Sequence, residues 1–280
     1  MINQAAIRAR SWLFTPATRP DRFANAAAAG ADVVILDLED AVAPKDKAQA
    51  RTTALDYLVG NPADGALHAL RINGLDTRSG ISDLDALLGS SAAPNFLVLP
   101  KTETAGHLQI LDRLLTAAGR TIRLIGLIES ARGLAAVEAI ATATPRLVGL
   151  MMGAADMAAD LGAATAWEPL AYARSRLIAA CALADVTPID SPFFDIHNED
   201  GLKQEVAAVV ALGFAAKAAI HPAQIGAINA ALTPSAEAVE RARAILAENA
   251  KGVGTVDGQM IDEAVARKAR RTLAAAGIEG

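Results

Sequence analysis

The chain lacks the marks of several large protein classes. It holds one cysteine, Cys181, so no disulfide can form within the chain, which fits a reducing cytoplasm. It has no excess of basic charge: 26 Lys and Arg stand against 31 Asp and Glu, a net charge of −5. Broad nucleic-acid-binding faces are usually strongly basic, so that class is disfavoured. Long hydrophobic runs are missing. The stretch Val206–Ala216 falls short of the ~20 residues needed to span a bilayer. Met1 to Arg10 is polar, without the apolar centre of an export signal. No G-x-G-x-x-G turn follows the first strand-like run, which counts against a dinucleotide fold. No G-x-S-x-G supports serine hydrolase chemistry at Asp195 and His197. No Cys/His cluster has zinc spacing, and no linker rich in Gly, Ser or Pro divides the chain.

What is present is a regular alternation within a composition that is 52% hydrophobic, enough for a sizeable core. Short β-branched or leucine-rich runs recur, each followed by an alanine-rich helical segment. The strand-like runs are Ser11–Ala17, Asp32–Glu39, Leu67–Asn73, Phe96–Lys101, Arg123–Ser130, Arg146–Gly153, Thr187–Phe193 and Phe214–Pro222. Several are apolar on both faces, as in Val33-Val34-Ile35-Leu36, which is the pattern of parallel strands covered by helices. Eight such units predict an α/β fold, a (β/α)8 TIM barrel, over residues 1–232. Residues 233–280 are surplus to it. Thr233-Pro234 opens a predicted helix to Asn249, Asp257-Gly258 marks a turn, and a last helix is expected from Gln259 to Ala276. This C-terminal helical arm is either a lid or subunit arm, or plain edge packing.

Barrel enzymes act at the C-terminal ends of their strands. There the sequence places Asp37, Glu39 and Asp40, then Arg71 and Asn73, Lys101, Glu129, Asp156, Asp190 and His221. Glu129 and Asp156 end adjacent strands, and two close carboxylates repel unless protonated or bridged by a cation. Oxygen donors alone favour Mg²⁺, with Mn²⁺ also suited; the competing role for both acids is helix capping. Glu39 and Asp40 suit water held by a metal, or ion pairs with Lys45 or Lys47. Asp37 is expected to point into the barrel, where it needs a partner. Arg71 suits a carboxylate or enolate oxygen, or a neighbouring rim acid. Lys101 and His221 are weaker candidates, for substrate and for cofactor binding, and a lone histidine before proline is more often a hydrogen-bonded structural residue. Arg19 and Arg22 follow the first strand and suit the phosphates of a large cofactor or the solvent.

At these same residues the sequence resembles the citrate lyase β-subunit-like (CitE-like) branch of the HpcH/HpaI aldolase superfamily, which includes malyl-CoA and citramalyl-CoA lyases. The stretches that carry the resemblance are Arg10–Pro16, Leu36–Val42, Arg71–Asn73, Leu99–Lys101, Ile128–Gly133, Gly153–Asp156, Ile220–Pro222 with Gln224-Ile225, and Asp257–Asp262. The resemblance implies Mg²⁺ held by Glu129 and Asp156, a substrate-binding arginine at Arg71, and outer acids at Glu39 and Asp40. It further implies that Asp262 reaches the active site of a neighbouring subunit, in a homotrimer or a hexamer of trimers. One departure is Ala216-Lys217, where the family often has glycine before the lysine.

The implied activity is cleavage of a malyl-, citramalyl- or citryl-type 3-hydroxyacyl-CoA thioester to a 2-oxo acid and acetyl-CoA, or the reverse. Alternatives are a malyl-CoA-type thioester hydrolase, an aldolase on free hydroxy-oxo acids, or a citrate lyase β subunit that depends on an acyl-carrier subunit.

Overall fold

The strand Val33–Asp37 shows in five residues why the chain closes into a barrel. Val33 and Ile35 cluster with Trp12, Ala69, Phe96, Val98 and Ile125 from other strands. Val34 and Leu36 cluster instead with helix residues such as Ala26, Ala54 and Leu55. With a two-residue side-chain period, one set fills the interior and the other packs under the helices.

The computed structural model describes residues 9–60, 65–252 and 254–278; most of the Met1 to Arg10 segment read above lies outside them. The strands are β1 (Ser11–Pro16), β2 (Val33–Asp37), β3 (Leu67–Arg71), β4 (Phe96–Leu99), β5 (Arg123–Ile128), β6 (Leu147–Met152), β7 (Thr187–Asp190) and β8 (Ala216–Ala219). They pair in sequence order, all parallel, and β8 returns to β1 through Ser11–Lys217 and its neighbours. This is a (β/α)8 TIM barrel. Trp12 and Phe96, ring centroids 5.0 Å apart, are among its largest fully buried side chains.

The helices between strands are α1 (Phe23–Ala28), α2 (Lys47–Val59), α3 (Arg78–Gly89), α4 (Ala105–Ala117), α5 (Ala131–Ala135), α6 (Val137–Ala141), α7 (Ala154–Leu161), α8 (Trp167–Ala184), α9 (Glu199–Leu212) and α10 (Ile225–Leu232). Side chains cap several of them. Thr77 accepts from the Gly80 amide before α3, and Ser130 from the Gly133 amide before α5. Each satisfies an amide that the helix itself cannot. Among the described residues no helix is long and apolar enough to cross a membrane.

The strands end sooner than expected at their C-terminal sides. The polar residues there leave the hydrogen-bonded ladder and turn into the rim. Asp190 does not join them. Its carboxylate takes a hydrogen bond from Arg174 of α8 at 2.9 Å and one from Lys217 of β8 at 2.7 Å. Lys217, fully buried, also reaches Glu205 of α9 at 2.7 Å. These charges sit in the layer between β7, β8 and the helices, where each needs its partner.

Beyond the barrel lie α11 (Ala236–Asn249), β9 (Gly254–Val256), β10 (Gln259–Ile261) and α12 (Glu263–Ala275). Two expectations are corrected here. Ser235, not Thr233, caps α11 by accepting from the Ala238 amide. The predicted helix from Gln259 begins instead at Glu263, because Gln259–Ile261 pairs antiparallel with Gly254–Val256 across the turn. Ala242, Ile245, Ile261, Ala269 and Leu273 form a small core of their own, separate from the two barrel clusters.

Candidate active site

The C-terminal mouth of the barrel opens into a cavity of about 760 Å³, a size suited to a small ligand or part of a larger one. Its wall includes Phe14, Leu127, Met151, Phe194 and Ile220 beside Arg22, Asp40, Arg71, Glu129, Asp156 and His221.

Arg71 ends β3 and Asp37 ends β2, and the two are register partners. Arg71 donates from Nε at 2.6 Å and from Nη2 at 2.7 Å to the two oxygens of Asp37. Asp37 therefore finds the partner its buried position requires. Its second task is local: Oδ1 also accepts from the Glu39 amide at 2.9 Å, fixing the turn that carries Glu39 and Asp40. The guanidinium lies over the Phe14 ring at 4.7 Å. Its remaining nitrogen, Nη1, lies 2.8 Å from Oε2 of Glu39 and 3.6 Å from Asp40. Although burial opposes the charge, Asp37, Glu39 and Asp40 hold the guanidinium above its ordinary range. Arg71 is a fixed cation at the mouth.

Glu39 is buried between two cations, since Lys101 donates to its Oε1 at 2.6 Å. Burial lifts its carboxyl above the ordinary range against the pull of Arg71 and Lys101. Glu39 does not line the cavity, whereas Asp40 is exposed on its wall. The expected ion pairs of these acids with Lys47 do not form. Its Nζ donates to the backbone carbonyls of Leu38 and Glu39 and to Asn73 Oδ1.

Glu129, just past β5, is 4% exposed and caps no helix. Its Oε1 accepts from the backbone amide of Lys101 at 2.6 Å. Burial, then the charges of Glu39 and Asp156, push its carboxyl up to about 8, with the Lys101 amide pulling the other way. Asp156 sits in the first turn of α7 and lines the same cavity. Between them runs Gly153. A Cβ there would fall 2.6 Å from Oε2 of Glu129, so only glycine leaves room for the carboxylate.

A buried carboxyl pushed toward its neutral form beside a second acid is a site short of positive charge. Among the described residues no three or more His, Cys, Asp or Glu side chains group as metal donors. Two carboxylates with water and substrate in the other positions suit Mg²⁺, which commonly uses only one or two protein carboxylates. The donor set therefore fits that ion.

The other candidates separate clearly. Arg22 lines the cavity near its exposed edge, but Arg19 spends its guanidinium on Asp21, at 2.9 and 2.7 Å. His221 lines the cavity and accepts from the Ala223 amide through Nδ1 at 3.2 Å. Asp262 is exposed and caps α12 by accepting from the Val265 amide at 2.9 Å. It does not line the cavity of its own chain. The sequence reading missed Phe194, Ile220 and Asn25 as wall residues. Their one signal was position after a strand, Phe194 and Ile220 in loops and Asn25 in the short helix α1.

The HpcH/HpaI aldolase/citrate lyase family matches residues 10–222. An L-malyl-CoA/beta-methylmalyl-CoA lyase of Cereibacter sphaeroides is 36% identical over 93% of this chain and 92% of its own length. RipC from Yersinia pestis is similar in structure with a TM-score of 0.74 and 56% identity, covering 83% of this chain and 98% of RipC. Protein CitE from Mycobacterium tuberculosis, solved in complex with magnesium, acetoacetate and coenzyme A, reaches a TM-score of 0.80 at 37% identity. That match covers 98% of this chain and all of the CitE chain.

Proposed function

Because the chain belongs to the HpcH/HpaI aldolase/citrate lyase family, we propose that it is a Mg²⁺-dependent carbon–carbon lyase acting on a CoA thioester. It cleaves a malyl-, citramalyl- or citryl-type 3-hydroxyacyl-CoA to a 2-oxo acid and acetyl-CoA, or joins the two. The observation that carries this reading is the buried Glu129 beside Asp156 in the barrel-mouth cavity.

Glu129 and Asp156 would hold the ion, and bound Mg²⁺ supplies Lewis-acid polarisation of the oxo acid's carboxylate and adjacent oxygen. Mn²⁺ suits the same donors. Arg71 contributes a positive charge that no accessible pH removes. Asp37 takes one N–H each from Nε and Nη2, and Glu39 lies against Nη1, so the N–H groups of Nη1 and Nη2 that these acids leave over are the donors for the thioester enolate oxygen, which gains charge in the transition state. Asp40, on the wall, orients water at the site, while Glu39 holds Arg71 and Lys101 in place. Lys101 keeps its charge near the substrate carboxylate. Arg22 meets the phosphates of CoA, with His221 on the neighbouring part of the rim, after the adjacent strand β8; Arg19, tied to Asp21, plays a smaller part.

Asp262 moves the proton on the acetyl carbon of a neighbouring subunit's substrate. Its exposure and its place on the segment beyond the barrel, whose described residues include a small core of their own, support this reading, with residues 1–232 as the catalytic barrel and 233–280 as the arm. The assembly is a homotrimer or a hexamer of trimers, with free CoA thioesters rather than an acyl-carrier subunit as substrates. The working compartment is the cytoplasm.

The test is mass spectrometry of products from malyl-CoA, citramalyl-CoA and citryl-CoA with Mg²⁺. Acetyl-CoA plus a 2-oxo acid is expected, and none with excess EDTA. Free CoA plus the intact hydroxy acid would make the protein a hydrolase. Turnover only on carrier-bound thioesters would make it a subunit of a larger lyase.

A further inference from the structure

Lys101 is one of three non-glycine residues among those described with a positive φ, at 48°. Left-handed backbone is unfavourable for a side chain with a Cβ and persists where surrounding contacts over-determine it. The contacts here are two. The Lys101 amide donates to Oε1 of Glu129 at 2.6 Å, and its ammonium donates to Oε1 of Glu39 at 2.6 Å. An amide pointed at a buried carboxylate needs the backbone to turn at that residue. A glycine would turn freely, but it would bring no cation to Glu39.

The turn has a consequence for Glu129. With Oε1 taken by the amide, Oε2 lies toward Gly153, where an added Cβ would sit 2.6 Å away. Gly153 leads directly into α7, which carries Asp156. The oxygen left free is therefore the one on the Asp156 side.

We infer that Lys101 is a positioning residue for the metal carboxylate: its strained turn clamps Oε1 of Glu129 and aims Oε2 at the space shared with Asp156. The tie to Glu39 is what holds the turn. The inference rests on the metal reading given above, and it assigns Lys101 a task other than substrate binding.

Two substitutions separate the turn from the charge. Lys101→Gly loses the ammonium but adopts the left-handed turn without strain. Lys101→Ala loses the ammonium and keeps the strain. Mg²⁺ binding to purified, folded protein by titration calorimetry is expected to weaken about tenfold or more in Lys101→Ala and to stay within about threefold of native in Lys101→Gly. Equal weakening in both variants, or none in either, would overturn the inference. Thermal melts identify any variant that is merely unfolded.

A second readout needs no metal. In metal-free protein, hydrogen exchange at the Lys101 amide is expected to be slow, and to rise at least about tenfold in Glu129→Ala, which removes the acceptor. Unchanged exchange would remove the clamp from the account. If the native protein binds no Mg²⁺ while the exchange result holds, the lyase reading fails and the clamp stands.

Discussion

Asp37 and Arg71, register partners on adjacent strands, are joined by two parallel hydrogen bonds of 2.6 and 2.7 Å at the floor of the cavity. The pair explains how an arginine can be both buried and charged, and why only part of its fork is left for the site. Asp37→Asn keeps the shape but removes the charge. Losing one partner of a buried ion pair costs about 3–5 kcal/mol, so urea denaturation should show a loss near the lower end of that range. Turnover should fall as well, because the freed guanidinium loses its fixed orientation. A variant as stable as native would contradict the structural role.

Gly153 makes room for Glu129. Gly153→Ala places a methyl group 2.6 Å from Oε2 and must displace the carboxylate. Mg²⁺ affinity of the folded protein, measured by calorimetry, should drop at least about tenfold, and Tm should fall too, because the methyl also meets Cβ of Glu129, which moves only with its backbone. Native affinity in this variant would mean that Glu129 does not bind the ion.

Metal binding should depend on pH in a fixed direction. The Glu129 carboxyl stands at about 8 in the metal-free fold against an ordinary 4.5. A raised carboxyl favours folding of the neutral acid; that contribution is complete below the ordinary value and is lost as pH climbs through about 8. A bound cation must displace the proton. Mg²⁺ affinity should therefore weaken by up to about tenfold per pH unit on descending below pH 8 and level off above it, and the rise in Tm on adding Mg²⁺ should be larger at about pH 9 than at about pH 6. Constant affinity across that interval would contradict the assignment.

Lys217 belongs to the scaffold. Its ammonium is fully buried against Asp190, Glu205 and the Ser191 carbonyl, each at 2.7 Å. Lys217→Met takes the shared cation from both acids, leaving Asp190 with Arg174 alone, and should cost about 3–5 kcal/mol in chemical denaturation, with kcat of the folded fraction unchanged at low temperature. A fall in kcat without loss of stability would give this residue a part in the reaction.

Asp262 tests the assembly. Glu129→Ala and Asp262→Asn should each be nearly inactive alone. After subunit exchange in an equal mixture, about one quarter of sites would combine an intact barrel with an intact neighbouring arm in a cyclic assembly, and turnover should recover to about that level. No recovery would place Asp262 outside the neighbour's site.

The barrel was legible because its strands are apolar on both faces, the mark of a helix-covered parallel sheet, and because eight βα units in a row suit closure over an open doubly wound sheet. The positions of Glu129 and Asp156 followed from the rule that rim residues succeed strands. Pairings across the rim were less legible. Nothing in Leu36–Asp40 tells whether Arg71 spends its fork on Asp37 or on a substrate, since that depends on strand register. The sequence reading put Asp190 in the rim, but its parity on β7 turns it toward Lys217 and the helix layer. The hairpin before Asp262 was also missed: two three-residue strands carry too little period to distinguish from a helix start. The left-handed turn at Lys101 has no signature in a lysine at all.

The most direct test of the central claim is a crystal structure of the protein grown with Mn²⁺, with the ion located by its anomalous scattering. The account predicts one peak in the barrel mouth, about 2.0–2.3 Å from one carboxylate oxygen each of Glu129 and Asp156, with the remaining positions filled by water or oxo acid. A peak held elsewhere, or carboxylates that turn away from each other around an unfilled site, would contradict it.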